Sequence, residues 1–120
     1  MDGNQRWSEK NNKTFAEGYS EGLKKLLYIA DVSINKNIKY LSVYALSTEN
    51  IKRPNISLIY DLIRTKSKEL IKKMINEKKI KIKIIGERNN IPNDILKIFE
   101  DAEKTPIKKV LLNLNIAFNY

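Results

Sequence analysis

The chain reads as an α/β fold, a parallel sheet flanked by helices, on three observations. Short β-branched and aromatic runs stand at 40–46, 80–86 and 110–118. Longer segments with apolar residues at helical period separate them, and the two patterns alternate through the 120 residues without a repeat, linker or low-complexity tract. Such alternation implies right-handed βαβ crossovers, so three parallel strands with helices packed on them are expected. A chain of this length makes one domain and buries roughly two-thirds of its unfolded surface.

The elements follow in order. Residues 14–31 predict a helix, because Thr14 with Glu17 three positions on is a capping-box pattern and Tyr19, Leu23, Leu26, Leu27 and Ala30 share one face. YLSVYAL at 40–46 has few polar breaks and reads as a strand covered on both faces. Pro54 stops that segment. From Asn55 to Lys78, residues Leu58, Ile59, Leu62, Ile63, Leu70, Met74 and Ile75 form a helical stripe against a lysine-rich side. IKIKIIG at 80–86 alternates Ile with Lys and reads as a strand nearer an edge than the first, its lysines protecting that edge. Pro92 opens a helix to about Lys104 with Ile95, Leu96 and Phe99 as its apolar face, Pro106 ends it, and VLLNLNIAF at 110–118 is the third strand. Glu100, Asp101 and Glu103 fall on the outside of that last helix and read as a solvated face, not a metal site.

Composition narrows the chemistry. There is no His and no Cys, so thiolate, imidazole and disulfide chemistry are excluded, and the absence of Cys is compatible with a reducing cytosol. No apolar run approaches the roughly 20 residues of a spanning helix, and the chain is polar from Asp2 onward, so a cytoplasmic location is expected. Lys and Arg total 23 against 14 acidic residues, a balance of +9 that favours polyanions, phosphorylated small molecules or an anionic surface. It has a compositional reading too: Lys, Ile and Asn fill 51 of 120 positions, as a biased genome would produce.

In open parallel α/β sheets, ligands bind where the strands' carboxyl ends and the following loops converge. Ser47, Thr48, Glu49, Asn50 and Arg53 follow the first strand, Glu87 and Arg88 the second, and Asn119 the third. A rim of backbone amides, small polar groups and arginine suits phosphate or diphosphate, and Asp2 could hold a divalent cation bridging those oxygens. No GxxxxGK[ST] or GxGxxG occurs, so such a site belongs neither to a P-loop nor to a dinucleotide fold. Bland roles compete: Asp2 and Asn4 as a turn or helix cap, Ser47 to Asn50 as a strand-to-helix cap, Arg53 as a surface ion pair.

MDGNQRW at 1–7, GYSEG at 18–22, YALSTENIKRP at 44–54, KIIGE at 83–87 and LNIAFNY at 114–120 occur in one order and spacing. On these motifs the chain resembles the cis-prenyltransferase (isoprenyl transferase) family, whose best-known members are undecaprenyl diphosphate synthases. The resemblance implies an enzyme that condenses isopentenyl diphosphate with an allylic diphosphate of the farnesyl type, with Mg2+ as cofactor, making a cis-polyprenyl diphosphate for lipid carriers. It further implies a homodimer in the full-length family and peripheral membrane contact through the product. Asp2 then resembles the catalytic acid and metal ligand that helps draw away the allylic diphosphate. Gly3, Asn4 and Arg6 resemble the loop that binds it, with Trp7 packed nearby. Asn50 corresponds to a catalytic position orienting the reacting groups, and Ser47, Thr48, Glu49 and Arg53 to its substrate-binding neighbours. The helical stripes at 19–30 and 58–75 correspond to walls of a hydrophobic tunnel for the growing product.

Departures accompany the resemblance. Gln5 stands where the family has Gly, Phe15 where it has Arg, Tyr19 where it has His, and Ile51 where an aromatic residue is common. The family carries a strand running into MDGN and continues past LNIAFNY into Gly-Gly-Arg and an arginine-rich motif. Residues 1–120 are therefore expected to be a single partial domain, lacking the first strand and the C-terminal part, and inactive alone. Two further functions fit less of the sequence. A non-catalytic partner subunit would account for the lost His and Arg, and a basic nucleic-acid-binding module for the charge alone; no nucleic-acid motif appears, and no nucleic-acid partner is expected.

Overall fold

The computed structural model describes residues 4–120, the side chains of Asn4, Gln5 and Phe15 apart. Its elements are α1 (Asn4–Lys10), α2 (Phe15–Asn35), β1 (Tyr40–Leu46), α3 (Thr48–Ile51), α4 (Ile56–Asn76), β2 (Ile80–Ile85), α5 (Asn93–Lys104) and β3 (Leu112–Phe118). The three strands are parallel, in the order β1-β3-β2. The last strand therefore lies between the first two. The α4 connection skips one strand position and the α5 connection returns to fill it.

The Thr14 hydroxyl caps α2 as its sequence predicts, accepting from the Glu17 amide at 3.1 Å and donating to the Glu17 carboxylate at 3.2 Å. The helix runs four residues beyond the expected end, and no glycine stops it. Asn37 does so in the left-handed conformation (φ 58°), while the Ile38 amide turns back to the Ser33 carbonyl at 2.9 Å. Asn12, Asn90 and Asn119 also have left-handed φ values. In a chain with only four glycines, asparagine takes the turn positions where a side-chain amide tolerates αL. The abundant asparagine thus has structural work as well as a compositional origin.

The core lies on one face of the sheet. Ile80, Ile82, Leu112 and Leu114 on the strands meet Met74 and Ile95 on α4 and α5, and all six are essentially inaccessible. Phe99 of α5 meets Phe118 of β3 edge-on, ring centres 5.1 Å apart. As an edge strand, β2 buries Ile80, Ile82 and Ile84 and turns Lys81, Lys83 and Ile85 outward. Its edge amide at Ile84 donates to the Glu103 carboxylate at 3.2 Å, which removes one unpaired donor from the edge.

Three expectations are corrected here. β1 is not covered on both faces: it is the other edge strand, with Tyr40 71% and Tyr44 67% exposed. Its alternation was concealed because tyrosine counts as apolar, whereas Tyr40, Ser42 and Tyr44 point one way and Leu41, Val43 and Ala45 the other. By register, Tyr40, Asn113 and Lys81 form one row of the exposed face and Ser42, Asn115 and Lys83 the next. Leu58 falls outside the buried stripe of α4 and is exposed. Asn4 and Arg6, which the resemblance assigns to a loop, lie in the helix α1, seated against α2 with Ser8 buried.

Candidate functional site

β1 ends at Leu46, and the next residues close into a capping box. The Ser47 hydroxyl accepts from the Asn50 amide and the Asn50 side-chain oxygen accepts from the Ser47 amide, both at 3.1 Å. Asparagine replaces the usual Glu or Gln of this motif, and its shorter side chain suits the single turn of α3. Thr48 is held from outside the loop: its amide and hydroxyl donate to the Tyr120 carbonyl at 3.1 and 2.6 Å. The Arg53 amide donates to the Asn50 carbonyl, leaving the Arg53 side chain exposed just before Pro54. The cap role open to Ser47 and Asn50 is therefore filled, and it fixes Ser47, Thr48 and Asn50 on one rim with Arg53 at the loop's end. Glu49 is exposed beside them.

The other sequence-predicted residues are placed differently. Asp2 and Gly3 lie outside the described residues, as does the Asn4 side chain. Arg6 and Trp7 are exposed on α1. Trp7 lines a surface cleft of about 340 Å³ with Lys13, Glu17, Ser20, Lys24 and Lys66, which contains none of Ser47 to Arg53. Arg88 is drawn back from the rim by Glu103 at 3.0 Å and Glu100 at 3.3 Å. Glu100 and Glu103 are thus not a purely solvated face; they hold Arg88 and the edge of β2. Among the described residues no group of three or more His, Cys, Asp or Glu side chains could hold a metal ion.

Beneath the rim, on the covered face of the sheet, lies a small apolar cavity of about 60 Å³. Val43 and Ala45 of β1, Ile116 and Phe118 of β3, Leu23 of α2 and Met74 of α4 line it. Tyr19 and Ser67 are its polar members. Burial pushes the Tyr19 phenol up to about 12, against a smaller opposing effect of its hydrogen bond with Ser67. It stays neutral at any physiological pH.

The family model for undecaprenyl diphosphate synthase matches residues 1–120. The chain belongs to the cis-prenyltransferases. It is 37% identical, over its whole length and 47% of the relative, to the tritrans,polycis-undecaprenyl-diphosphate synthase (geranylgeranyl-diphosphate specific) of Thermococcus kodakarensis. To the isoprenyl transferase of Fusobacterium nucleatum it is 36% identical, over its whole length and 53% of the relative. The chain spans about half the length of these curated relatives. Its fold is that of a lavandulyl diphosphate synthase from Lavandula x intermedia, solved in complex with dimethylallyl diphosphate, with TM-score 0.85 over the whole chain and 52% of that one at 21% identity. A probable undecaprenyl diphosphate synthase from Campylobacter jejuni superimposes on 83% of the chain and 49% of its own with TM-score 0.72, at 24% identity.

Tyr19, set against a histidine by the resemblance, has a structural account here. A phenol raised to about 12 cannot exchange protons near neutrality as imidazole would, and it serves here as a wall of the cavity bonded to Ser67. Ile51, where an aromatic residue was expected, packs against the core as a half-buried residue. One rim residue stands outside the substrate-binding set. Asn119, noted in the sequence only as the residue after the third strand, is 5% exposed and bonded to both neighbouring loops. Its role depends on β3 being the central strand, which no sequence signal gives.

Proposed function

We propose that this chain forms the allylic-diphosphate half of an isoprenyl transferase. In the full-length protein, that enzyme condenses isopentenyl diphosphate with an allylic diphosphate of the farnesyl type to give a cis-polyprenyl diphosphate. The observation that carries the reading is an apolar cavity lined by the end of the strand from which the polar rim follows. Ala45 lines the cavity, and Ser47, two residues on, opens the box that holds Asn50 and precedes Arg53. An allylic diphosphate has the same division into an anionic head and an apolar tail. Arg53 supplies charge to the head, Ser47 and Thr48 offer hydroxyls, and Asn50 orients the reacting groups. Asp2, Gly3, Asn4, Arg6 and Trp7 belong to the same proposal as the other bank of the diphosphate site. Magnesium would reach the chain through Asp2 and adds, when bound, the charge that makes diphosphate a leaving group.

The cavity is small, about 60 Å³, and a prenyl tail enters it as α2 and α4 part. Homodimerisation and contact of the lipid product with a membrane surface are proposed for the full-length protein. No helix among the described residues is long and apolar enough to cross a membrane.

Thermal unfolding of the purified chain with millimolar farnesyl diphosphate and magnesium tests the reading. A ligand that binds the folded state alone raises the midpoint by mass action, and at 100 times its Kd it adds about 2.7 kcal/mol. A rise that is lost in Arg53→Ala is expected. An unmoved midpoint would remove the proposed head site.

A further inference from the structure

Asn119 follows the central strand β3 in the left-handed conformation (φ 57°), and its bonds run to both sides. Its backbone amide donates to the Leu46 carbonyl at 2.6 Å, the last peptide before the Ser47 box, and its carbonyl accepts from the Glu87 amide at 3.0 Å. The side-chain amide donates one bond to the Glu87 carbonyl and one to the Asn89 carbonyl, each at 2.9 Å. Both partners are acceptors, which fixes the orientation of the amide: only the nitrogen, with two protons, satisfies both. Gly86 completes the joint. A Cβ placed on it would stand 2.1 Å from the Phe118 carbonyl oxygen, so the loop after β2 crosses the end of β3 in backbone contact.

We propose that Asn119 is a positioning residue of the diphosphate site. It laces the loop after β1 to the loop after β2 and so sets where Ser47, Asn50 and Arg53 stand. The assignment rests on the allylic-diphosphate reading for its consequence in binding, but the lacing itself does not. β3 is central, so its exit residue alone adjoins the loops of both neighbouring strands. A residue there needs positive φ and two donors at once. Glycine meets the first requirement only. Aspartate keeps the shape but turns an acceptor toward two carbonyls, except where its carboxyl is protonated and can donate one bond.

The test combines amide exchange with farnesyl diphosphate affinity in the wild-type chain, Asn119→Gly and Asn119→Asp. Asn119→Gly keeps the groups of both backbone bonds but loses the side-chain anchor that holds residue 119, and with it the Leu46 bond, in place. Its expected result is exchange at least tenfold faster at Glu87–Asn90, where the side-chain bonds end, and faster at Ser47–Ile51 through the loosened Leu46 bond, with α4 unchanged and affinity for farnesyl diphosphate lowered about tenfold. Asn119→Asp should show the same loosening at neutral pH and partial recovery below its carboxyl titration, a pH profile that loss of stability alone does not produce. Wild-type exchange at Ser47–Ile51 of a folded Asn119→Gly overturns the proposal, whatever the loop after β2 does. Should either variant fail to fold, the wild-type chain decides it: Asn119 side-chain amide protons exchanging at the rate of a free amide overturn the lacing, and slow exchange supports it. If the wild-type chain does not bind farnesyl diphosphate, the functional reading fails, and the exchange results still decide the role of Asn119.

Discussion

Thr48 and Tyr120 stand 72 residues apart in sequence, yet the Thr48 hydroxyl and amide share the Tyr120 carbonyl as acceptor. The bond joins the loop after an edge strand to the exit of the central one. Tyr44 and Tyr120 reinforce it with rings 5.0 Å apart. Thr48→Val deletes the hydroxyl bond and leaves the amide bond, so a loss of about 1 kcal/mol is expected, read as a lowered urea midpoint at unchanged m-value. An equal loss in Thr48→Ser, which keeps the hydroxyl, would show that the bond is not its source.

Gly86 has φ 125°, and the Phe118 carbonyl occupies the space of any Cβ. Gly86→Ala therefore combines a disfavoured backbone conformation with a contact that only a backbone shift relieves. A loss of about 3 kcal/mol or more is expected by equilibrium unfolding, at the upper end for strained positions. Stability within about 0.5 kcal/mol of wild type, the range for neutral surface changes, would mean the loop does not cross β3 as described.

The two faces of the sheet should respond unequally. Leu114 is fully buried at the centre of β3, and Leu114→Ala is expected to cost about 2–5 kcal/mol, transfer and cavity together. Tyr40→Ser on the exposed face should stay within about 0.5 kcal/mol. Chemical unfolding of both variants checks the contrast, and a large loss in Tyr40→Ser would place a covering layer over that face.

Tyr19 gives the chain an alkaline sensitivity with a definite sign. Its folded pKa is raised from 10.0 to about 12, so its contribution is fully present below pH ~10 and lost as pH rises through the folded value. In that window the unfolded chain has released the phenolic proton while the folded chain still binds it. At ~1.4 kcal/mol per unit the loss approaches about 3 kcal/mol. Tyr19→Phe should flatten unfolding free energy against pH between 10 and 12, relative to wild type. Parallel profiles for the two proteins would exclude Tyr19 as the source.

All three strands and the helices α2, α4 and α5 were legible in the sequence because their apolar periods are long and clean, as in the Ile80–Ile82–Ile84 alternation and the capped start of α2. What was not legible has particular causes. The order β1-β3-β2 depends on which strand position the α4 crossover skips, and no local pattern encodes that. The bare face of β1 was hidden by tyrosines that are apolar in composition but amphipathic in place. The end of α2 at Asn37 and the exit of β3 at Asn119 use asparagine where glycine is the familiar stop. α1 is short, and its packing on α2 decides it more than its own propensity. Of the proposed site, the Ser47–Asn50 box and Arg53 were placed together by their position after a strand. The lacing through Asn119 is a tertiary relation between three loops, and a linear motif carries no trace of it.

Titration of the isotopically labelled chain with farnesyl diphosphate and magnesium, followed by backbone amide chemical shifts, tests the central claim most directly. The diphosphate head on the rim and the tail beneath it should move the amides of Ser47, Thr48, Asn50 and Arg53 together with those of Ala45 and Tyr19, along one saturable curve. Shifts confined to the lysine-rich outer side of α4, or no saturable shift at millimolar ligand, would contradict it.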